Sequence, residues 1–237
     1  MLEYFTGIDA AALTTSFMSG FIRGGQLVVK FLLLTTIDNT REFREALAEI
    51  KAEYGEILSL RKVYFSDWER GELELTQVEE VVRSADVILV DIRGQTELTD
   101  HLRKIIPESR ATTVVVLVGG SREIFSLNRM GSFSGSDLPQ GESNSFDIES
   151  FLKVKKFTEL TKKIGSFLPV GKLKHMRNWV LACEYYAEGG KENLKNLFLF
   201  LLREYYGAKV KVKPPQKMPP YGIWWPPNHY FTDVGGV

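Results

Sequence analysis

A single cysteine, Cys183, stands in the 237 residues. That excludes an internal disulfide and suits a reducing compartment. Its neighbours Ala182, Tyr185 and Tyr186 make it read as a packed thiol rather than a nucleophile. Net charge is absent as well: 30 Lys and Arg balance 30 Asp and Glu, so no global field draws in nucleic acid or anionic lipid. Apolar runs such as Leu197–Leu202 are too short to span a bilayer. The opening stretch MLEYFTGIDAAALTTSFMSGFIRGG lacks a basic leader, carries Glu3 and Asp9, and is interrupted by Thr14, Thr15 and Ser16. It reads as a short helix or loose arm, not a targeting segment. These absences predict a soluble, cytoplasmic protein without a membrane span or a nucleic-acid partner.

Self-announcing chemistry is scarce too. The three histidines, His101, His175 and His229, form no H-x₃-H or HExxH pair, so spacing offers no zinc site. There is no G-x-S-x-G elbow. No glycine follows the first predicted strand at Thr35–Thr40, where backbone N–H groups would have to approach a phosphate, which argues against FMN or NAD held in the usual way. Asp38, Asp91 and Ser121 follow predicted strands, as the acidic and hydroxyl groups of a phospho-receiver do. The acidic doublet of such a Mg²⁺ site is missing. A cobalamin loop would need a histidine where Arg93 stands.

What is present is alternation. LVVKFLLLTT (27–36) is a near-continuous apolar run, the mark of a strand buried on both faces. In 41–55, Phe43, Ala46, Leu47, Ile50 and Tyr54 recur at helical spacing, with Asn39 or Thr40 as cap and Gly55 as stop. EILSLRKVYF (56–65) reads as a strand, Thr76 to Ser84 as a helix, DVILVDI (86–92) as a strand, ELTDHLRKII (97–106) as a helix stopped by Pro107, and TTVVVLVGG (112–120) as a strand. Strands separated by single helices predict an α/β fold with a doubly wound, mostly parallel sheet, flavodoxin-like or Rossmann-like, followed by a helical extension. SREIFSLNRM (121–130) suggests one more helix, and a Gly- and Ser-rich stretch follows over 131–145. The organisation expected is an amino-terminal arm (1–26), an α/β head (27–146), a helical segment (147–207) and a Pro-rich extended segment (208–237) that opens on a basic strand, AKVKVK (208–213). Six prolines between Pro214 and Pro227 keep that last segment extended.

Three strings in fixed order carry a resemblance: SLNRMGSFSGSDL (126–138), LPVGKLKHMRNWVLACEYYAEGGKENLKNLFLFLL (168–202) and PPYGIWWPP (219–227). Their LN-basic-MGSFS core and the aromatic-aromatic-x-x-GG-x-EN-L-x-N-L pattern of Tyr185–Leu197 resemble the amino-terminal part of the large subunit of ATP-dependent tetrapyrrole metal chelatases, the magnesium-chelatase H and cobaltochelatase CobN family. The resemblance implies a tetrapyrrole substrate, Mg²⁺ or Co²⁺ as the ion inserted, ATPase partner subunits with their ATP, and the remainder of a large subunit several times longer. It implies no cofactor on this chain and no complete active site within it, but substrate or subunit contacts. The alternative is a non-catalytic tetrapyrrole- or partner-binding module. The candidate ligand contacts are Asn128, Met130, Ser132, His175, Arg177, Glu192 and Asn193. The RMGSFS string is expected as a loop on the carboxyl edge of the sheet. Gly189-Gly190 is expected to end one helix, with Glu192 and Asn193 serving the free N–H groups of the next and Tyr185, Tyr186, Phe198 and Phe200 packing the two helices together. Family members commonly read G-I-aromatic-H-P near the last string; here Trp225 stands where that histidine would.

Overall fold

Phe31, Leu32, Leu33 and Leu34 are each at most 2 % exposed, the burial that an apolar run without alternation requires of a central strand. In the computed structural model, which describes residues 21–23, 26–37, 40–93, 97–119, 121–137, 170–217, 223–225 and 229–231, this run is β2 (Gln26–Thr35). It pairs in parallel with β3 (Leu58–Tyr64) on one side and β4 (Val87–Ile92) on the other. Next to β4, β5 (Thr113–Gly119) continues the parallel ladder, with a register shift between Val90 and Asp91. The parallel order β3-β2-β4-β5 reverses direction between β2 and β4, the switch point of an open doubly wound sheet. A short strand, β1 (Phe21–Arg23), pairs antiparallel with the start of β2. It lies in the stretch expected as helix or arm; residues 1–20 of that stretch lie outside the described residues, as do Asp38, Asn39, Gly94 and 138–169.

The helices follow their apolar stripes. α1 (Thr40–Tyr54) buries Phe43, Ala46 and Ile50, and Gly55 stops it at φ 79°. After a single short helix, α2 (Phe65–Glu69), α3 (Leu75–Ser84) buries Val78, Val81 and Val82 behind a Glu74/Gln77 capping box. α4 (Glu97–Glu108) packs on α3, and His101 joins them through Glu79 at 2.8 Å. α4 does not stop before Pro107 but runs through it to Glu108. In the last turn the proline forfeits only one helical hydrogen bond, and both the Ser109 amide and hydroxyl close the turn on the Ile106 carbonyl.

The helix expected over 121–130 shrinks to α5 (Arg122–Phe125). Asn128, 1 % exposed, ends it: its Oδ1 accepts the Val116 amide at 2.8 Å and its Nδ2 donates to the Phe125 carbonyl at 3.2 Å. The chain then returns along β5 as the hairpin β6 (Arg129–Met130) and β7 (Phe133–Ser134). Because Met130 faces Thr113 and Arg129 faces Val114, RMGSFS lies at the amino end of β5, not on the carboxyl edge. A side chain just beyond the helix, bonded to β5, settles where it ends, and helical periodicity carries no trace of it.

α6 (Val170–Glu188) and α7 (Gly190–Tyr206) pack on each other; α6 covers β5 and α7 covers α1. The Trp179 indole N–H donates to the Val116 carbonyl at 2.9 Å, and Phe198 meets Phe31 and Phe43 edge-on at 5.2 and 5.9 Å. Sheet and both helices therefore share one contiguous apolar core. Beyond α7, 208–213 is not a strand in any ladder. Ala208, Val210 and Val212 lean on the core while Lys209, Lys211 and Lys213 face outward, and the backbone is held by side chains instead of a neighbouring strand. Farther on, β8 (Ile223–Trp225) and β9 (His229–Phe231) pair antiparallel, Trp225 opposite His229. No helix among the described residues is long and apolar enough to cross a membrane.

Candidate functional site

At the switch point, where open α/β sheets usually take ligands, Asp91 is 0 % exposed. One carboxylate oxygen accepts the Tyr186 hydroxyl at 2.6 Å with the Thr35 hydroxyl 3.3 Å away, and Arg93 Nε lies 3.4 Å from the other. A phospho-receiver needs its acceptor carboxylate open to the phosphodonor; this one is closed in and tied to α6. Tyr186 thus turns toward the sheet and not across the α6–α7 seam, as does Phe198. Tyr185 and Phe200 do meet across it, rings 5.9 Å apart.

The seam itself divides its polar residues between two neighbours. Gly189 and Gly190 take φ of 64° and 75°, which only glycine adopts at low cost, and turn the chain from α6 into α7. Lys191 and Lys195 reach back to α1: Lys191 lies 2.7 Å from Glu49, and Lys195 lies 3.2 Å from Glu49 and 2.9 Å from Glu53. The Lys191 ammonium, bonded to Glu49, holds that carboxyl below its ordinary range. Asn193 does not serve the start of its own helix. Its amide pairs with the backbone of Gln216 as a peptide group would, Nδ2 donating to the carbonyl and Oδ1 accepting the N–H, each at 2.8 Å. Asn196 Oδ1 accepts the Lys213 amide at 2.7 Å, the Tyr185 hydroxyl donates to the Lys213 carbonyl, and Glu192 lies 3.5 Å from the Lys213 ammonium. The motif is a clamp on the segment 211–217.

A second cluster forms around Gly131 (φ 58°). An added Cβ there would stand 2.4 Å from His175 Nε2, so the imidazole of α6 lies directly on the hairpin turn. Asn178 Nδ2 donates to the Tyr205 hydroxyl at 3.2 Å, and the same hydroxyl shares a hydrogen bond with His175 Nδ1 at 3.1 Å. Burial first, then the Lys174 charge, pulls the His175 pKa below its ordinary value, and burial pushes Tyr205 up to about 12. The Nε2 side of the His175 ring faces Gly131. Arg177 is half-buried further along α6.

On the other side of the hairpin opens a cleft of about 710 Å³ between it and the second half of α4. Leu127, Phe133, Ile106 and Pro107 form part of its wall, Arg103, Lys104 and Arg129 bring cations to it, and Asp100 and Glu123 bring anions. The Phe133 ring lies against Trp179, centroids 5.7 Å apart. Of the residues expected to touch a ligand, Asn128 and Ser132 line this cleft. Met130 is 0 % exposed in the core, His175 lies behind Gly131, and Glu192 and Asn193 belong to the clamp. The cationic residues escaped sequence reasoning, although Arg129 is the basic member of the LNRMGSFS string and Arg103 and Lys104 lie in the helical stretch ELTDHLRKII. Among the described residues no three His, Cys, Asp or Glu side chains gather as metal ligands would.

Two family profiles match this chain: residues 30–180 the family described as Domain of unknown function (DUF3479), and residues 183–235 CobN/Magnesium Chelatase. Similar proteins include the magnesium-chelatase H subunit of Chlorobaculum parvum, 24% identical over 65% of this chain and 13% of the relative. The chloroplastic magnesium-chelatase ChlH subunit of Oryza sativa subsp. indica is 27% identical over 60% of this chain and 11% of its own length. The magnesium-chelatase H subunit of Cereibacter sphaeroides is 22% identical over 71% and 15%. Among solved structures, the catalytic subunit of cobaltochelatase from Mycobacterium tuberculosis aligns with a TM-score of 0.46 at 15% identity, covering 84% of this chain and 12% of that one. The chain thus spans between 11% and 15% of the length of these relatives.

Proposed function

The chain belongs to the DUF3479 family and is of the magnesium-chelatase H and CobN large-subunit kind, and from that premise we propose that it takes part in ATP-dependent insertion of Mg²⁺ or Co²⁺ into a tetrapyrrole. Its share is binding surface: contacts to the macrocycle, to ATPase partner subunits and to the remainder of the large subunit, with the complete insertion site assembled only in the larger protein. The observation that carries this reading is the junction of the two family profiles between residues 180 and 183. That junction falls inside α6, a helix packed on the sheet by Trp179 and Cys183 and joined to the seam clamp by Tyr185. The described residues of the first matched region and residues 183–217 of the second therefore belong to one folded unit. The cleft beside the 129–134 hairpin has an apolar wall and a charged rim, which suits a flat apolar ring with ionised substituents.

Titration of the chain with a porphyrin and with a cobalt-free corrinoid tests this reading, followed through the Soret or visible bands and tryptophan emission. A saturable band shift with quenching of Trp179 is expected for one macrocycle class. Unshifted spectra with both would overturn macrocycle binding. Adding the ATPase subunits, ATP and the metal ion to a preparation containing the full-length large subunit separates the roles: turnover that this chain's variants impair supports the chelatase share. Binding without any effect on turnover supports the non-catalytic module.

A further inference from the structure

We propose that the cleft between α4 and the β6–β7 hairpin reads the carboxylate substituents of the macrocycle, through Arg129, Lys104 and Arg103. This deepens the tetrapyrrole reading and rests on it.

Among the described residues neither Lys104 nor Arg129 forms an ion pair, while Arg103 lies 3.4 Å from Asp100, a half-exposed pair of little strength, and near Glu123. Arg129 is the anchored member. Its position is fixed by the β6 register, opposite Val114 of β5 and Ser134 of β7, and its Nη2 donates to the Ala111 carbonyl at 2.5 Å. Its Nε is buried and lacks a hydrogen-bond partner. A half-buried guanidinium held at one corner and lining the cleft offers its remaining donors to a planar acceptor, and a carboxylate is one. Lys104 adds an exposed point charge from α4.

The acidic residues of the same cleft set the orientation. Glu123 is kept ionised by its own backbone N–H, by the Ser121 hydroxyl and by the nearby Arg103 and Arg122 charges. It and Asp100 repel a carboxylate, so the ring's acidic edge turns toward Arg129 and Lys104, and its apolar face toward Leu127 and Pro107. A dicarboxylic porphyrin with its propionates on neighbouring pyrroles carries both carboxylates on one edge of an apolar disc, and a cleft of about 710 Å³ bordered by cations of α4 and of the hairpin offers that edge more than one partner.

The test compares a dicarboxylic porphyrin with its dimethyl ester on the whole chain, in wild type and in Lys104→Gln and Arg129→Gln. Thermal unfolding controls for folding; Lys104, being exposed, keeps the test informative if Arg129→Gln is unstable. The diacid is expected to bind at least about a hundredfold tighter than the diester, each substitution to remove about tenfold of that preference, and the diester affinity to stay unchanged. Equal affinity of diacid and diester for the wild type overturns the carboxylate inference and leaves macrocycle binding standing. A preference that survives both substitutions overturns the assignment to this cleft. Failure of both porphyrins to bind overturns the tetrapyrrole reading itself, and the inference with it.

Discussion

Gly131 is where one missing methyl group decides the local architecture. Any side chain there both strains a backbone at φ 58° and collides with the His175 ring at 2.4 Å. Gly131→Ala is expected to cost about 2–4 kcal/mol, read as a lowered urea midpoint. The double variant with His175→Ala should recover the collision but not the strain. His175 also predicts a pH effect. Its folded pKa lies below the unfolded value of about 6.5, so its contribution is present in full above that value and is lost as pH falls through and below it. Urea midpoints should therefore drop between pH 7 and pH 5, before the carboxylates paired with lysines, such as Glu49, begin to protonate. His175→Gln should flatten that part of the profile. Asn193 supplies a third test at this scale. Asn193→Ala removes both bonds to Gln216 and should cost about 1–3 kcal/mol. Trypsin should then cut after Lys209 or Lys211 faster than in wild type, whereas unchanged proteolysis would mean the clamp is not what holds the segment.

Elements divide by how local their causes are. The four parallel strands and α1, α3 and α4 were legible because their patterns are self-contained: a continuous apolar run for β2, a helical stripe of Phe43, Ala46 and Ile50 for α1. Others were not, and three of them show why. α5 ends where Asn128 of the returning chain bonds Val116 and Phe125, the hairpin forms along the β5 edge, and 208–217 stays out of every ladder because Asn193, Asn196, Tyr185 and Tyr54 take its backbone groups. For α5 and 208–217 side chains of other segments satisfy main-chain groups, for the hairpin the β5 edge does, and propensity registers no such partner. The candidate site was half legible for the same reason. The LNRMGSFS string pointed to the right hairpin, but its placement at the amino end of β5, and the meeting of Arg129 with Arg103 and Lys104 across the cleft, follow from the strand register alone.

For the molecule as a whole, one core runs from the sheet through α6 and α7. The helices of 170–206 should consequently not melt before the sheet. Cys183 is a built-in probe: it is buried against the Val116 carbonyl, and burial pushes its thiol well above the ordinary range. Thiol labelling in increasing urea should track the loss of far-ultraviolet ellipticity in one transition, while labelling at lower urea would reveal separable units. The same unity bears on function, since a ligand in the cleft touches a hairpin backed by Trp179 and so is coupled to α6 and the seam. Amide hydrogen exchange of the chain with and without a dicarboxylic porphyrin tests the central claim most directly. The account predicts slowed exchange in residues 126–134 and in the second half of α4, 103–108. Protection confined to the carboxyl edge around Asp91, or no change anywhere, would contradict it.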